Sequence, residues 1–90
     1  TDFDKETLKE IENEDLPALL PLYHQSVALW IEQKNRGAYK NAVRLLKKLR
    51  TYYKKLNQPE RWEWYIGHLQ SRYSRLRALQ EEMRKGKLIS

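Results

Sequence analysis

Residues 39–56, YKNAVRLLKKLRTYYKKL, constrain the fold more than any other stretch of this chain. At about 100° per residue, Ala42, Leu45, Leu46, Leu49, Tyr53 and Leu56 fall within roughly 100° of one another on a helical wheel. Lys40, Arg44, Lys47, Lys48, Lys54 and Lys55 fall on the opposite side, and no acidic residue lies between Glu32 and Glu60. A helix with a leucine face and an almost purely cationic face must bury the first and solvate the second. The pattern says how this helix packs. It leaves open what the protein does.

The other segments read as helices that pack against it. Asp4 can cap a short acidic helix over 4–13, with Leu8 and Ile11 as its narrow apolar edge and Phe3 just before the cap. Asp15 is a second candidate cap, followed by Leu16 and Pro17, since proline is tolerated in a first turn. Pro21 sits too deep for that turn, so residues 16–20 are expected to form a separate turn, with the long helix beginning near Pro21. From there Tyr23, Val27, Trp30, Ile31 and the stem of Lys34 make one face. Asn35-Arg36-Gly37 reads as a stop, with Gly37 suited to a left-handed position. Helix 38–56 follows after a short connection, which makes the pair antiparallel.

Asn57-Gln58-Pro59 ends that helix, and Pro59 starts the next, with Glu60 and Glu63 in its first turns. Trp62, Ile66, Leu69, Tyr73, Leu76 and Met83 recur at steps of three, four and seven, with Leu79 at the stripe's edge. One unbroken helix is therefore expected from Pro59 to about residue 84 or 85, stopping at Gly86. The expected fold is all-α: an antiparallel bundle of three long helices, with a short acidic helix in front. Its core should contain Leu45, Leu46, Leu49, Leu56, Trp62, Ile66, Leu69 and Tyr73.

A chain of 90 residues allows one domain with a small core. One-third of the residues are charged and only three each are Gly and Pro, which suits helices better than strands or disorder. The net charge of +6 is uneven. Residues 1–15 carry seven acidic groups against two lysines, a balance of −5, so residues 16–90 carry +11. This divides the chain into an acidic leader, 1–15, and a basic helical domain, 16–90. The first residue is Thr1 rather than Met, and the chain is read as a fragment of a longer protein. It contains no transmembrane run and no signal-peptide pattern. The absence of cysteine excludes disulfides, thiolate zinc sites and cysteine nucleophiles within the chain, and accords with a cytoplasmic origin.

Catalytic or metal chemistry finds little support in the spacing. His24 and His68 are the two histidines, and neither has a second ligand or an orienting carboxylate at helical spacing. Glu81 and Glu82 face a basic helix end, and no glycine-rich phosphate loop is present. The expectation is a non-enzymatic domain without a catalytic, metal or cofactor site. Trp64, Leu22 and Leu29 fall off the packing faces of their helices. They are either cover for the leader or a surface that meets another protein or domain. The cationic face suggests a second possibility, phosphate contacts to DNA or RNA through Lys40, Arg44, Lys47, Lys48 and Lys55. No element that reads bases accompanies it.

Two likenesses add to this reading. Gly37-Ala38-Tyr39-x-x-Ala42-x-x-x-Leu46 resembles the second helix of a tetratricopeptide repeat. The preceding helix lacks that repeat's tryptophan and glycine pattern, so a repeat-like hairpin is expected rather than a full repeat. More broadly, residues 19–53 (LLPLYHQSVALWIEQKNRGAYKNAVRLLKKLRTYY), Trp62-x-x-Tyr65-Ile66 and residues 72–88 (RYSRLRALQEEMRKGKL) resemble the C-terminal helical region of bacterial SWIM zinc-finger proteins. That family is defined by a Cys-x-Cys and Cys-x-His zinc motif. This chain has no cysteine, so the resemblance implies a zinc finger upstream in the full-length protein. It also implies a setting of DNA or protein binding, often beside helicase-type ATPases.

Overall fold

A computed structural model describes residues 16–89, and all of its regular elements are helices. These are α1 (Leu16–Glu32), α2 (Arg36–Lys55), α3 (Pro59–Arg72) and α4 (Arg77–Lys85). The acidic helix expected over 4–13 lies outside the described residues. The elements α1, α3 and α4 all pack on α2. Its buried side is broader than the wheel suggested: Ala38, Tyr39, Val43 and Tyr52 join Ala42, Leu46, Leu49 and Tyr53. Leu45 packs partly buried against the core, and Leu56 is half-buried. Lys40, Arg44, Lys47, Lys48, Lys54 and Lys55 are all exposed, as the charge pattern required.

α1 corrects one expectation. It is continuous from Leu16 through Pro21, with no separate turn before the proline. Proline's missing N–H costs one bond, to the carbonyl four residues back. Pro21 is only the sixth residue of α1, so that loss falls near an end where few later turns depend on it. Val27 and Ile31, four residues apart, are sealed against α2. Tyr23 and His24 reach Tyr52 and Tyr53 near the far end of α2, which makes the two helices antiparallel.

The α1–α2 turn is also built differently from the expectation for Gly37. The left-handed residue is Lys34, at φ 54°, and Gly37 lies inside the first turn of α2. The reason is Asn35, whose Oδ1 accepts from the Ala38 N–H at 2.8 Å and so caps α2 before the glycine. At the other end of α2, Asn57 is left-handed at φ 58°. Its N–H donates to the Lys54 carbonyl and that of Gln58 to the Tyr53 carbonyl, closing the helix. Pro59 then opens α3, as expected.

The largest correction concerns the final helix. The expected unbroken helix from Pro59 is two helices, separated by residues 73–76. Neither proline nor glycine breaks it. Instead, the Tyr73 carbonyl accepts from the Leu76 N–H at 3.0 Å in a tight turn and from the Gln80 side chain at 2.9 Å. Packing gives the larger reason. A straight helix of 27 residues would run about 40 Å, well past the roughly 30 Å of α2. The bend brings α4 back onto α2, where Leu79 and Met83 are completely buried. Leu88 is buried beyond it, held by a Lys87 turn at φ 59° in which the Leu88 N–H donates to the Met83 carbonyl.

Candidate functional site

The pocket of greatest chemical interest, about 500 Å³, opens where α1, the end of α2 and the start of α3 meet. It is lined by His24, Tyr53, Glu60, Arg61, Trp64 and Tyr65. The antiparallel α1–α2 pairing supplies His24 and Tyr53. The Asn57–Pro59 turn then brings α3 back at once, so its first two turns close the third side.

His24 Nε2 and the Tyr53 hydroxyl are hydrogen-bonded at 2.8 Å. The Tyr65 ring meets the imidazole edge-on, with centroids 4.2 Å apart at 90°. Burial lowers the His24 pKa below its ordinary 6.5. Burial likewise raises that of Tyr53, against a smaller opposing effect of the Arg61 charge. The Tyr65 phenol is pushed up well beyond its usual range by burial first, then by Tyr53 and Tyr73. All three groups are therefore neutral near pH 7. Trp64 stands on the outer wall, 70% exposed, and His68 stacks on it nearly parallel at 5.3 Å. The arrangement is a neutral aromatic socket with one anion and one cation among its lining residues, suited to holding a ring.

The three apolar residues singled out as a docking surface do not converge on one place. Leu22 and Leu29 are seven residues apart in α1, within about 20° on the helix, while His24 lies about 140° from Leu29. Leu29 lines a separate shallow groove of about 320 Å³ with Ser26, Trp30 and Gln33. Leu22 and Leu29 are 58% and 61% exposed, and Trp30, expected on the packing face, is 37% exposed. The domain thus offers an apolar ridge along α1 and, on another side of α1, the Trp64 pocket.

The five cations proposed for phosphate contacts, Lys40, Arg44, Lys47, Lys48 and Lys55, are exposed and form no ion pair with another described residue. Glu81 and Glu82 meet the start of α2 as well as a lysine on their own helix. Arg36 donates to Glu82 at 2.7 Å and to Glu81 at 2.9 Å, and Lys85 lies 3.5 Å from Glu82. Burial raises the Glu82 pKa, but Arg36, Lys85 and Lys40 together outweigh it and leave the carboxyl below the ordinary range. These carboxylates also sit by the N-terminus of α2, where the helix dipole favours negative charge.

Sequence reasoning missed the His24–Tyr53–Tyr65 cluster. His24 and Tyr53 are 29 residues apart, so no local spacing could pair them. Among the described residues no group of three His, Cys, Asp or Glu side chains is placed to hold a metal ion, and no helix is long and apolar enough to cross a membrane.

Fold and pocket together define an all-helical domain with an aromatic socket. The chain is similar to YwqB, an uncharacterized protein of Bacillus subtilis (strain 168), with 59% identity over 88 residues, 98% of this chain. The chain spans 16% of that relative's length. No protein-family model matches the chain, and no solved structure matches it.

Proposed function

We propose that the chain is a non-catalytic helical interaction domain that binds another protein, or another domain of a longer protein to which it belongs. One observation carries this reading. Leu22, Leu29, Trp30 and Trp64 are 37–70% exposed, although the domain already has a sealed core beneath them. Large apolar side chains left exposed, here as a ridge on α1 and separately at Trp64, mark contact sites, and tryptophan is enriched among the residues that dominate binding energy. The similarity to part of a much longer relative supports the same reading, because a domain within a longer chain has neighbours to meet. In this proposal the chain is the C-terminal helical part of a SWIM zinc-finger-type protein, with its α1–α2 hairpin playing a tetratricopeptide-like role. Any zinc would be held elsewhere in the protein.

A second reading has its own observation. The exposed, unpaired cations of α2 form a face to which phosphates would be drawn, making the domain a nucleic-acid accessory. Photo-crosslinking in the full-length protein separates the two. A crosslinker placed at Leu29 or Trp64 should give discrete protein adducts, and one at Lys48 should not. Nucleic-acid adducts from Lys48, with none to protein from Leu29 or Trp64, would reverse the choice. Salt provides a second discriminator, since phosphate binding weakens steeply between low and physiological salt and apolar docking responds little.

A further inference from the structure

The walls of the pocket restrict what can enter it. Trp64, Tyr65, Tyr53 and His24 present rings from three helices, and a ring packs against rings in favourable edge-to-face or offset geometry. Trp64 is backed by the stacked His68, which is not among the lining residues, so its other side is left to the pocket. A cation could also be drawn to such rings. Arg61 on the lining and the surplus of positive charge over residues 16–90 oppose it.

Charge also restricts what flanks the entering ring. Arg61 and Glu60 balance one another on the lining, while residues 16–90 as a whole carry +11. That surplus repels a basic segment and steers an acidic one towards the domain. We infer that the pocket receives one aromatic side chain from an acidic segment of a partner protein, with the ring against Trp64 and Tyr65 and a flanking carboxylate facing Arg61. This rests on the docking reading above and adds the partner's chemistry to it.

The test is a titration of the ¹⁵N-labelled 90-residue chain with a synthetic peptide carrying a central Phe among Asp and Glu residues. The Trp64 indole N–H and the Tyr65 amide are followed by NMR, with Trp30 as internal reference. Saturable shifts at Trp64 and Tyr65 are expected, with Trp30 unmoved. Affinity should fall about ten-fold or more when the Phe is replaced by Ala, or when Trp64→Ala is made in the protein. Arg61→Glu should weaken it too, and rising salt should lower it only modestly, without the steep loss expected of phosphate binding. Both substituted residues are exposed, so neither variant should lose the fold.

Equal binding of the Ala peptide, or of a peptide with Lys in place of its acidic residues, would overturn the inference. So would the absence of saturable binding, or shifts confined to the exposed cations of α2. Tighter engagement of Trp64 by an oligothymidylate, or concentration-dependent self-association abolished by Trp64→Ala, would assign the pocket to nucleic acid or to a second copy. Crosslinks from Trp64 in the full-length protein are scored separately. If they persist while the peptide fails, the partner chemistry is wrong and the docking reading survives.

Discussion

His24 is held neutral by its surroundings, and that makes it a source of pH-dependent stability. Burial lowers its folded pKa below the 6.5 of the exposed side chain. Between those two values the unfolded chain binds more protons at this position than the folded one, so stability rises with pH there. The contribution is fully present above about pH 6.5 and is lost as pH falls through that value towards the folded pKa. Thermal melts from about pH 7.5 down to 5.5 should therefore show a falling midpoint in the wild type. In His24→Gln the dependence over this window should be shallower; equal slopes would mean that His24 does not titrate differently on folding. At Gly67 the forecast has the opposite sign. This exposed glycine lies inside α3 with nothing within 4 Å of an added Cβ. Gly67→Ala should raise unfolding free energy by about 0.5–1 kcal/mol, read from urea denaturation, by reducing the freedom of the unfolded chain.

Among the elements, α4 depends on a close approach that sequence periodicity does not reveal. A Cβ at Gly86 would lie 2.8 Å from Val43 Cγ1 and 3.1 Å from Lys47 Cε. The lysine end can move, but the stiff, buried valine has little room. Gly86→Ala should cost about 1–3 kcal/mol in chemical denaturation, where the same change at Gly67 stabilises. The contrast is the measurement, because two glycines in helical sequence look alike until their neighbours are known. α2 was legible from sequence because its leucines and lysines divide cleanly by angle. The caps of Asn57 and Pro59 were legible because their chemistry is local. Three other features were settled at longer range. Pro21 stays inside α1, Gln80 captures the Tyr73 carbonyl, and the chain bends to seat Leu79 and Met83 on α2. Leu79 was read at the edge of the predicted stripe and Met83 on it, and both are completely buried, so periodicity found these core residues without revealing the bend. The exposed parts of the candidate site, Trp64, Leu22 and Leu29, were readable as off-face residues. The His24–Tyr53 pairing at its centre needed the α1–α2 register.

As a whole the described chain is flat, with extents of 37 × 31 × 19 Å. Its thin dimension is about two helix diameters, so each helix has a limited inward side and a broad outward one. That geometry explains why α1 can seal Val27 and Ile31 against α2 and still leave Leu22 and Leu29 more than half exposed. If the outer ridge serves a partner rather than this fold, removing it should cost the isolated chain almost nothing. Leu22→Ser with Leu29→Ser is expected to change unfolding free energy by no more than about 1 kcal/mol in total, the range of exposed substitutions. Ile31→Ala, two residues beyond Leu29 and on the buried side, should cost about 2–5 kcal/mol. Urea denaturation of the three proteins makes the comparison. A large loss in the double variant would assign the ridge to the domain's own stability, leaving the Trp64 pocket as the stronger docking surface. A small loss, together with weaker crosslinking to a partner in the full-length protein, would separate folding from binding on opposite sides of one helix.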